Sequence, residues 1–497
     1  MAVVARGAAL EGVEARSVEV EVDLLKRLPT VVIVGLANSA VKESAERVRS
    51  AMESSGFAFP RKRVVINLAP ADLRKQGTAL DLPTALGILA ADGMVPEETL
   101  ASTVCAGELA LGGQLRRVTG ALSMALLARR TGSALLLPAD SAPQASLVPG
   151  VQVVGVHNLA EAVAWMRGEL ADPVQAPYVP QRQEHTVDLA EVRGQTMARS
   201  ALEVSAAGAH HMLMLGPPGC GKSMLARRLP TILPELTFDE ALEATQVHAA
   251  ADLCDTGALL SERPFRAPHH TVTAAGMAGD RTLRPGELAL AHHGVLFLDE
   301  APEFNRSVLE VLRQPLEEGE VRVSRARGSI RYPAKLTLVM AANPCPCGLR
   351  GLPDSACVCT DTAVYRYITK LSGPILDRID LHLHLQPVTP HQLLFGDPGE
   401  PSEVVRQRVV AARQRQADRG QDVPNGQLDD RQIAAVAQLA TPARRLVADL
   451  ADHHGLSARA ATRLVRVART VADLRGDKRI NATCVESAQA WRATVTA

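Results

Sequence analysis

The feature that most constrains this 497-residue chain is a glycine-rich octapeptide near its middle, Gly216-Pro217-Pro218-Gly219-Cys220-Gly221-Lys222-Ser223. An apolar run at 211–215 precedes it and predicts a buried strand, and the residues from Met224 onward predict the start of a helix. A strand, this glycine pattern and a helix in succession are typical of a phosphate-binding loop. The loop's N–H groups would surround phosphate oxygens, Lys222 would reach the β- and γ-phosphates, and Ser223 would ligate Mg²⁺. An ordinary glycine turn is the alternative.

Two further apolar runs end in polar side chains that fit the same chemistry. Asp299 and Glu300 follow the run 295–298, and Asn343 follows the run 336–342. Ligands of open parallel sheets bind at the carboxyl ends of the strands. Asp299 would hold Mg²⁺ through water, Glu300 would polarise the attacking water, and Asn343 would orient it as a γ-phosphate sensor. Taken singly, an acidic strand end is often only exposed, and an asparagine after a strand is usually a turn residue.

The composition excludes some classes of protein, but it does not identify a binding partner. The chain has 54 basic and 54 acidic residues, so nucleic-acid binding would need local basic patches. Hydrophobic residues make up 46% of the chain, which is enough for sizeable cores. No apolar run reaches the ~18 residues of a membrane span, and the N-terminus lacks the layout of a signal peptide. We therefore expect a cytoplasmic protein with no membrane partner.

Composition shifts divide the chain into three segments and two linkers. Short β-rich runs alternate with helical patterns in residues 1–168, which predicts an α/β or α+β domain. Proline-rich polar stretches predict linkers at 169–185 and 387–402. The nucleotide motifs lie in residues 186–386. The helical periodicity of 403–497, rich in Ala, Leu, Val and Arg, predicts an all-α bundle.

Four of the eight cysteines lie in one short segment, 345–359. Cys345 and Cys347 form one pair, and Cys357 and Cys359 form the other. Four thiolates at this spacing predict a tetrahedral Zn²⁺ with a structural role, because four sulfur ligands leave no open coordination position. Reduced free thiols and a redox disulfide are the alternatives.

These motifs, in this order, resemble those of AAA+ ATPases, and nearly the whole length resembles the ComM/YifB family of magnesium-chelatase-like AAA+ proteins. The stretches that carry the family resemblance are Val64–Asp72, Phe265–Thr271, Gly286–His292, Asn343–Gly348 and Gly373–Asp380. The resemblance implies an α/β fold in which an AAA+ parallel sheet has helices on both faces, followed by a C-terminal helical lid. The family also has cysteines at the positions of the cluster.

The resemblance further implies a ring, usually a hexamer, with ATP bound between subunits. Arg378 matches the arginine finger, whose permanent charge suits a neighbour's γ-phosphate. A surface or ion-paired arginine is the alternative. Arg459 matches the second sensor, which contacts nucleotide from the lid, although Arg463 lies one turn away on the same helix face. The expected nucleotide contacts are thus Arg459 and the octapeptide 216–223.

Residues 321–335 resemble the hairpin that this group of AAA+ proteins inserts before the sensor strand. Their side chains alternate at period two on both sides of a tip at 325–328, and the segment contains no acid. Such a hairpin in the pore of a ring would suit the phosphate backbone of DNA. A solvated edge hairpin whose charges prevent sheet aggregation is the alternative. The expected DNA contacts are Arg322, Arg325, Arg327 and Arg331.

The first segment resembles the Lon-protease fold without that fold's catalytic pair. Active relatives use a serine and a lysine, but Ala79 stands at the serine position and Leu122 or its neighbours at the lysine position. Neither side chain can attack a peptide bond. Thr78 is adjacent, but residues 119–126 contain no lysine that could activate it. We therefore expect a structural or DNA-contacting role for this segment.

These expectations converge on an ATP-driven ring motor that moves DNA strands, with ATP, Mg²⁺ and structural Zn²⁺ as cofactors. The family resemblance implies branch migration or helicase work on single-stranded or branched DNA, in recombination and natural transformation. The ATPase subunit of a metal-chelatase complex is the runner-up, and the Lon-like segment and the cysteine cluster argue against it. An ATP-dependent protease is a third class, and a remodeller of a protein partner is a fourth. The missing serine and lysine disfavour an ATP-dependent protease.

Overall fold

A computed structural model describes most of the chain between residues 2 and 492. The described residues are 2–34, 39–70, 78–171, 186–251, 253, 258–280, 284–325, 328–351, 357–371 and 373–492. They form two compact units, Met1–Gln181 with Thr245–Leu260 and Arg182–Ala244 with Ser261–Ala497. Most of the linker predicted at 169–185 and Arg327 of the predicted DNA contacts lie outside the described residues, as does the side chain of Arg325.

The chain up to residue 171 alternates strands and helices. Its strands are β1 (Val3–Glu11), β2 (Glu14–Leu25), β3 (Thr30–Val34), β4 (Arg63–Ala69), β5 (Thr103–Cys105), β6 (Glu108–Leu109), β7 (Leu115–Arg116), β8 (Ala134–Pro138) and β9 (Val153–Val156). Its helices are α1 (Ser39–Ser54), α2 (Asp81–Ala91), α3 (Glu97–Ala101), α4 (Ala121–Thr131), α5 (Ala142–Ala145) and α6 (Leu159–Met166), with a 3₁₀ turn at Ala139–Ser141.

The first unit is built on a mixed seven-stranded sheet. Its strand order is β3-β4-β2-β1-β5-β8-β9, and the pairings of β2 with β1 and with β4 are antiparallel while the others are parallel. Val18, Val20 and Val22 alternate with more exposed residues along β2, because successive side chains of a strand point to opposite faces. Residues Leu82–Ala90 of α2 are all buried. The α/β character predicted for this segment is confirmed.

From residue 186 onward the chain forms the second set of elements. Its strands are β10 (Met212–Leu215), β11 (Phe265–Arg266), β12 (Val295–Leu298), β13 (Glu320–Arg325), β14 (Gly328–Pro333), β15 (Thr337–Ala342) and β16 (Leu381–His384). Its helices up to residue 376 are α7 (Thr196–Gly208), α8 (Lys222–Ile232), α9 (Phe238–Ala250), α10 (Ala274–Ala278), α11 (Glu287–Leu290), α12 (Arg306–Val311), α13 (Arg313–Glu318), α14 (Asp361–Ile368) and α15 (Gly373–Leu376).

The second unit contains a five-stranded sheet in which every pairing is parallel, in the order β11-β12-β15-β10-β16. All residues of β10, β12 and β15 are buried, as expected for a parallel sheet that helices cover. The phosphate-loop segment follows β10, the two acids follow β12, and Asn343 follows β15. Parallel pairing therefore brings all three chemical groups to one edge of the sheet, and the predicted AAA+ sheet is confirmed.

The helical lid completes the second unit. A short helix, α16 (Pro390–Phe395), lies inside the stretch 387–402 that the sequence predicted to be a linker. The helices of the lid are α17 (Ser402–Asp418), α18 (Asp430–Val436), α19 (Thr441–His454), α20 (Ala458–Arg475) and α21 (Ala482–Ala490). Further 3₁₀ turns lie at Leu189–Glu191, Ala301–Glu303 and Asn425–Gln427. No helix among the described residues is long and apolar enough to cross a bilayer.

A buried polar network joins the sheet to the lid. His210 precedes β10, and its Nδ1 lies 2.7 Å from Oδ2 of Asp380 at the start of β16. Its Nε2 lies 2.8 Å from the hydroxyl of Thr470 in α20. Asn425 donates to the same hydroxyl (3.1 Å) and to the carboxylate of Asp473 (2.8 Å). Because these groups are buried and satisfied, they fix how α20 sits on the sheet.

Candidate nucleotide site

The phosphate-loop segment has a backbone that its glycines make possible. Gly219 and Gly221 have φ values of +79° and +93°, a left-handed region that other residues adopt at a cost. A Cβ atom on either would meet no described atom within 4 Å, so open space lies beside both glycines. Helix α8 begins directly afterwards, at Lys222. The loop and this helix N-terminus fit a phosphate group.

Lys222 links the loop to the predicted sensor residue. Its ammonium group donates to the carbonyl oxygens of Gly216 (2.7 Å) and Pro217 (2.9 Å), and to Oδ1 of Asn343 (3.1 Å). Asn343 directly follows β15 and Lys222 begins the helix after the β10 loop, and these two strands are neighbours in the sheet. The two residues whose predicted roles concern the γ-phosphate therefore touch each other.

The predicted Mg²⁺ ligands are also in contact. The Ser223 hydroxyl donates to Oδ2 of Asp299 at 2.6 Å, and Oδ1 of Asp299 accepts the N–H of Glu300 at 3.0 Å. A hydroxyl and a carboxylate are the hard oxygen donors that Mg²⁺ takes from proteins, beside phosphate oxygens and water. The donor set at this edge of the sheet thus fits Mg²⁺ bound with a nucleotide.

Glu300 projects from a constrained turn. It adopts φ +50°, unusual for a residue with a side chain, and its carboxylate is about half exposed (54%). Nδ1 of His270 lies 3.7 Å from Oε2 of Glu300. The backbone therefore presents this carboxylate to solvent beside Asp299, where an attacking water could reach it. His270 was not among the predicted site residues, because nothing in its local sequence links it to the end of β12.

Arg378 lies in a group of arginines. Its guanidinium donates to the carbonyl oxygen of Pro374 and to Glu317 on α13. Burial, followed by the charges of Arg313 and Arg459, holds the pKa of Arg378 below its usual range. Arg459 itself is exposed. The predicted finger and the predicted second sensor are therefore near enough for their charges to interact, although Arg378 also pairs with Glu317.

Arg463 takes a different position from Arg459, although both belong to α20. Arg463 is buried, and its Nη2 lies 3.4 Å from Oδ1 of Asp377, the residue before the predicted finger. The exposed Arg459 remains the better placed of the two to meet a ligand from outside the chain.

The four cysteines of segment 345–359 converge on one point. All four sulfur atoms lie within 4.8 Å of one another, and Cys345 is buried. Cys345 Sγ lies 3.3 Å from Cys347 Sγ and 3.8 Å from Cys357 Sγ, and the last two sulfurs are 3.6 Å apart. Sulfurs bound at ~2.3 Å around a tetrahedral zinc ion would be ~3.8 Å apart. The spacing of the thiols therefore fits such an ion.

The predicted hairpin is present, but it contains an acid that the prediction overlooked. Strands β13 and β14 pair antiparallel with Arg322 opposite Arg331, and both arginines are exposed. The carboxylate of Glu320, one residue before the predicted segment, lies 3.0 Å from Arg322 and 3.7 Å from Arg331. Glu318 is also 3.4 Å from Arg322. The charges at the base of the hairpin are thus partly neutralised within the chain.

Comparisons with known proteins match nearly the whole chain. Three family models match successive parts: "Subunit ChlI of Mg-chelatase" at residues 20–141, "Magnesium chelatase, subunit ChlI" at 188–393, and "Magnesium chelatase, subunit ChlI C-terminal" at 399–492. The chain is 41% identical to YifB of Escherichia coli over 97% of this chain and 95% of that protein. It is 40% identical to the competence protein ComM of Haemophilus influenzae, over 97% and 96%.

The chain belongs to the ComM/YifB family of magnesium-chelatase-like AAA+ ATPases. The 38 kDa magnesium-chelatase subunit of Rhodobacter capsulatus is a more partial relative. The two are 30% identical in an alignment of length 172 that covers 30% of this chain and 48% of that subunit. AAA+ ATPases of this family use ATP and Mg²⁺. The phosphate-loop segment fits the nucleotide, and the Ser223 hydroxyl and the Asp299 carboxylate fit the metal ion.

A second group of side chains that could ligate a metal ion forms a network of hydrogen bonds instead. Glu243 lies within 3.1 Å of the Nε2 atoms of His292 and His293, the latter at 2.7 Å. Nδ1 of His292 accepts the backbone N–H of Lys335 at 3.1 Å, and burial lowers the pKa of His292 to about 4. The ring is therefore neutral with its proton on Nε2, and that nitrogen donates to Glu243 instead of ligating a cation.

Proposed function

We propose that this protein is an ATP-driven ring motor acting on DNA, with the ATP sites shared between neighbouring subunits. At each site, Lys222 binds the phosphates and Asp299 and Ser223 hold Mg²⁺. A Mg²⁺ ion held by these two side chains would supply positive charge to the phosphates during hydrolysis. Glu300 polarises the attacking water, and Asn343 orients it.

The arginine cluster supports catalysis in trans. The positive charges of Arg313 and Arg459 act on Arg378, whose partner within the chain is Glu317, and a highly charged anion would be a stronger partner for Arg378. The triphosphate of a neighbouring subunit has this chemistry. Arg378 would exchange Glu317 for the γ-phosphate when a neighbour docks, and Arg459 would contact the same nucleotide.

The observation that carries the DNA proposal is the exposed hairpin with arginines on both strands and at its tip. Arg322 and Arg331 share Glu320, and the sequence between these two residues adds two further arginines, Arg325 and Arg327. Phosphate contacts need no base recognition, which suits a motor that moves along any sequence. The name of the ComM relative also connects the family with competence, the uptake of DNA by cells. Branch migration or unwinding during recombination of that DNA is the specific activity we propose.

The first test measures ATP hydrolysis with no DNA, with single-stranded DNA and with a four-way junction. We expect DNA to stimulate hydrolysis, and we expect the Lys222→Ala variant to be inactive throughout. The Arg325→Ala/Arg327→Ala variant should keep the DNA-free rate and lose the stimulation. An Arg444→Ala/Arg445→Ala variant, which removes two exposed arginines of α19, is the matched control and should behave as the wild type.

Salt dependence distinguishes phosphate contacts from an indirect effect of the tip substitutions. Each phosphate neutralised on a single strand contributes ~0.7 to the slope of log binding constant against log salt concentration. Loss of two tip contacts should therefore lower that slope by roughly 1.4, whereas the control variant should retain the wild-type slope. Hydrolysis that is indifferent to DNA, with an unchanged slope, would instead favour a protein partner or a chelatase-type complex.

The cysteine cluster completes the proposal with a structural Zn²⁺ held by Cys345, Cys347, Cys357 and Cys359. The convergence of the four sulfur atoms within 4.8 Å of one another supports this site. A thiolate at neutral pH is the form that binds metal. One zinc per chain, lost on replacing cysteines of the cluster by serine, is the expected result of elemental analysis.

A further inference from the structure

The cysteine cluster lies against the nucleotide site. Cys345 is two residues beyond Asn343, whose side chain contacts Lys222 at 3.1 Å. Gly348 lies within the cluster's first turn, and its N–H donates to the carbonyl oxygen of Cys345 at 2.9 Å. One short segment therefore carries both the sensor residue and the first two metal ligands.

Gly348 is in direct contact with the phosphate loop. A Cβ atom on this residue would lie 2.7 Å from Cδ and 2.8 Å from Cγ of Pro218, and 3.8 Å from Cγ of Asn343. Gly348 also has φ +80°, which favours glycine. Both the available space and the backbone thus require a glycine where the cysteine turn meets the loop.

We propose that the metal-bound cysteine cluster acts as a clamp on the phosphate loop, with Gly348 as the positioning residue that transmits its effect. The metal would hold the turn 345–348 in the shape that seats Gly348 on Pro218 and keeps Asn343 against Lys222. Without the metal, four unrestrained thiols would leave this turn free to move, and the loop would lose its support. This inference rests on the metal proposed above, and it is independent of the proposal about DNA.

A clamp of this kind couples the binding of zinc to the binding of nucleotide. If metal binding tightens nucleotide binding by some factor, then nucleotide must tighten metal binding by the same factor. Such coupling factors are typically ~5- to 150-fold. The reciprocity provides a readout that needs no turnover and no DNA.

The first experiment compares the full-length protein before and after treatment with a chelator, using circular dichroism to establish that both forms are folded. We expect one equivalent of zinc in the untreated protein and a several-fold weaker affinity for a fluorescent ATP analogue in the stripped one. A slowly hydrolysed ATP analogue should retard transfer of zinc to a chromogenic chelator, and its effect on zinc affinity should match the effect of zinc on nucleotide affinity. Zinc that is bound in full but leaves nucleotide affinity unchanged would overturn the clamp.

The second experiment separates the contact from the metal. Gly348→Ala should keep one zinc per chain, weaken nucleotide binding and abolish most of the further loss caused by chelation. Gly351→Ala is the matched control, because Gly351 has φ +83° in the same segment but no described atom within 4 Å of its would-be Cβ. The control carries a similar backbone strain without the contact, so it should bind nucleotide as the wild type does. If Gly348→Ala and Gly351→Ala bound nucleotide with equal affinity, the role of Gly348 would be contradicted. This comparison does not depend on whether the purified protein contains zinc.

Discussion

Glu300 is the residue at which nucleotide binding and hydrolysis should be separable. Its carboxylate touches neither Lys222 nor Ser223 among the contacts of the described residues, yet it lies beside Asp299 at the end of β12. Replacing it by glutamine would remove the proposed base, which accepts a proton from water in our proposal, and would keep nearly the same shape. We expect Glu300→Gln to lower the rate of ATP hydrolysis by at least ~100-fold, since general-base catalysis contributes about that much or more.

The same variant should bind ATP as tightly as the wild type, measured with a fluorescent analogue at equilibrium. Glu303→Gln is the control, because Glu303 is an exposed acid three residues along that pairs with Lys370 at 3.7 Å. Its hydrolysis rate should stay near that of the wild type. A Glu300→Gln variant that hydrolyses ATP normally would show that another group activates the water.

At the scale of single residues, the sequence predicted side chains that belong to a recognisable motif. It missed contacts between residues that only the fold brings together. Lys222 and Ser223 follow from one octapeptide, and Asp299 and Asn343 follow from the ends of apolar runs. The contact of His270 with Glu300 depends on where the chain after β11 crosses the sheet edge. The choice between Arg459 and Arg463 depends on which side of α20 packs inward, and helical periodicity alone placed both on one face.

At the scale of elements, the junction between the sheet and the lid depends on the buried pair of Asp380 and His210. Burial alone would raise the pKa of Asp380, but the hydrogen bond and the charge of His210 lower it below its usual range. The ionised carboxylate is therefore the form that stabilises the fold. Its contribution is fully present above the ordinary carboxyl pKa of about 4, and it is lost as pH falls through the lower value of the folded state.

We therefore expect Asp380→Asn to lower the free energy of unfolding at pH 7 by about 3 kcal/mol, the order found when one partner of a buried pair is removed. Urea unfolding at a series of pH values measures this. The difference from wild type should persist down to about pH 4 and shrink at lower pH. Asp418→Asn, at an exposed acid on α17, should change stability by no more than about 0.5 kcal/mol. A pH-independent difference would mean that the loss comes from packing and not from the charge.

The hairpin shows which structural features sequence periodicity can predict and which it cannot. Alternation of apolar and polar residues predicted two paired strands, and β13 and β14 have that register, with Val321 and Tyr332 buried opposite each other. The ion pairs with Glu320 were missed, because the predicted segment began one residue later. The network of His210, Asp380 and Thr470 was beyond prediction, since it joins three distant segments and follows no local pattern.

At the scale of the whole molecule, the decisive question is whether one chain holds a complete ATP site. Lys222 and Glu300 lie at the carboxyl edge of the sheet, whereas Arg378 pairs with Glu317 of its own chain. If Arg378 acts on a neighbour, Arg378→Ala should bind nucleotide and hydrolyse it about 10³-fold more slowly, as expected for loss of an arginine finger. Lys222→Ala should be inactive because it cannot hold the phosphates.

Mixing these two inactive variants then tests the shared site directly. In a ring that assembles in random order, a site regains activity when an Arg378→Ala subunit supplies Lys222 and its neighbour, a Lys222→Ala subunit, supplies Arg378. For equal amounts and independent sites, about a quarter of the interfaces meet this condition, so about a quarter of the wild-type rate should return. The double variant carrying both substitutions is the control, because it joins the ring without supplying either group, and its mixture with Arg378→Ala should stay inactive. No recovery in the first mixture, despite assembly of mixed rings shown by co-purification of differently tagged chains, would mean that each site is completed within its own chain. Arg378 would then serve the fold through Glu317 instead of serving catalysis.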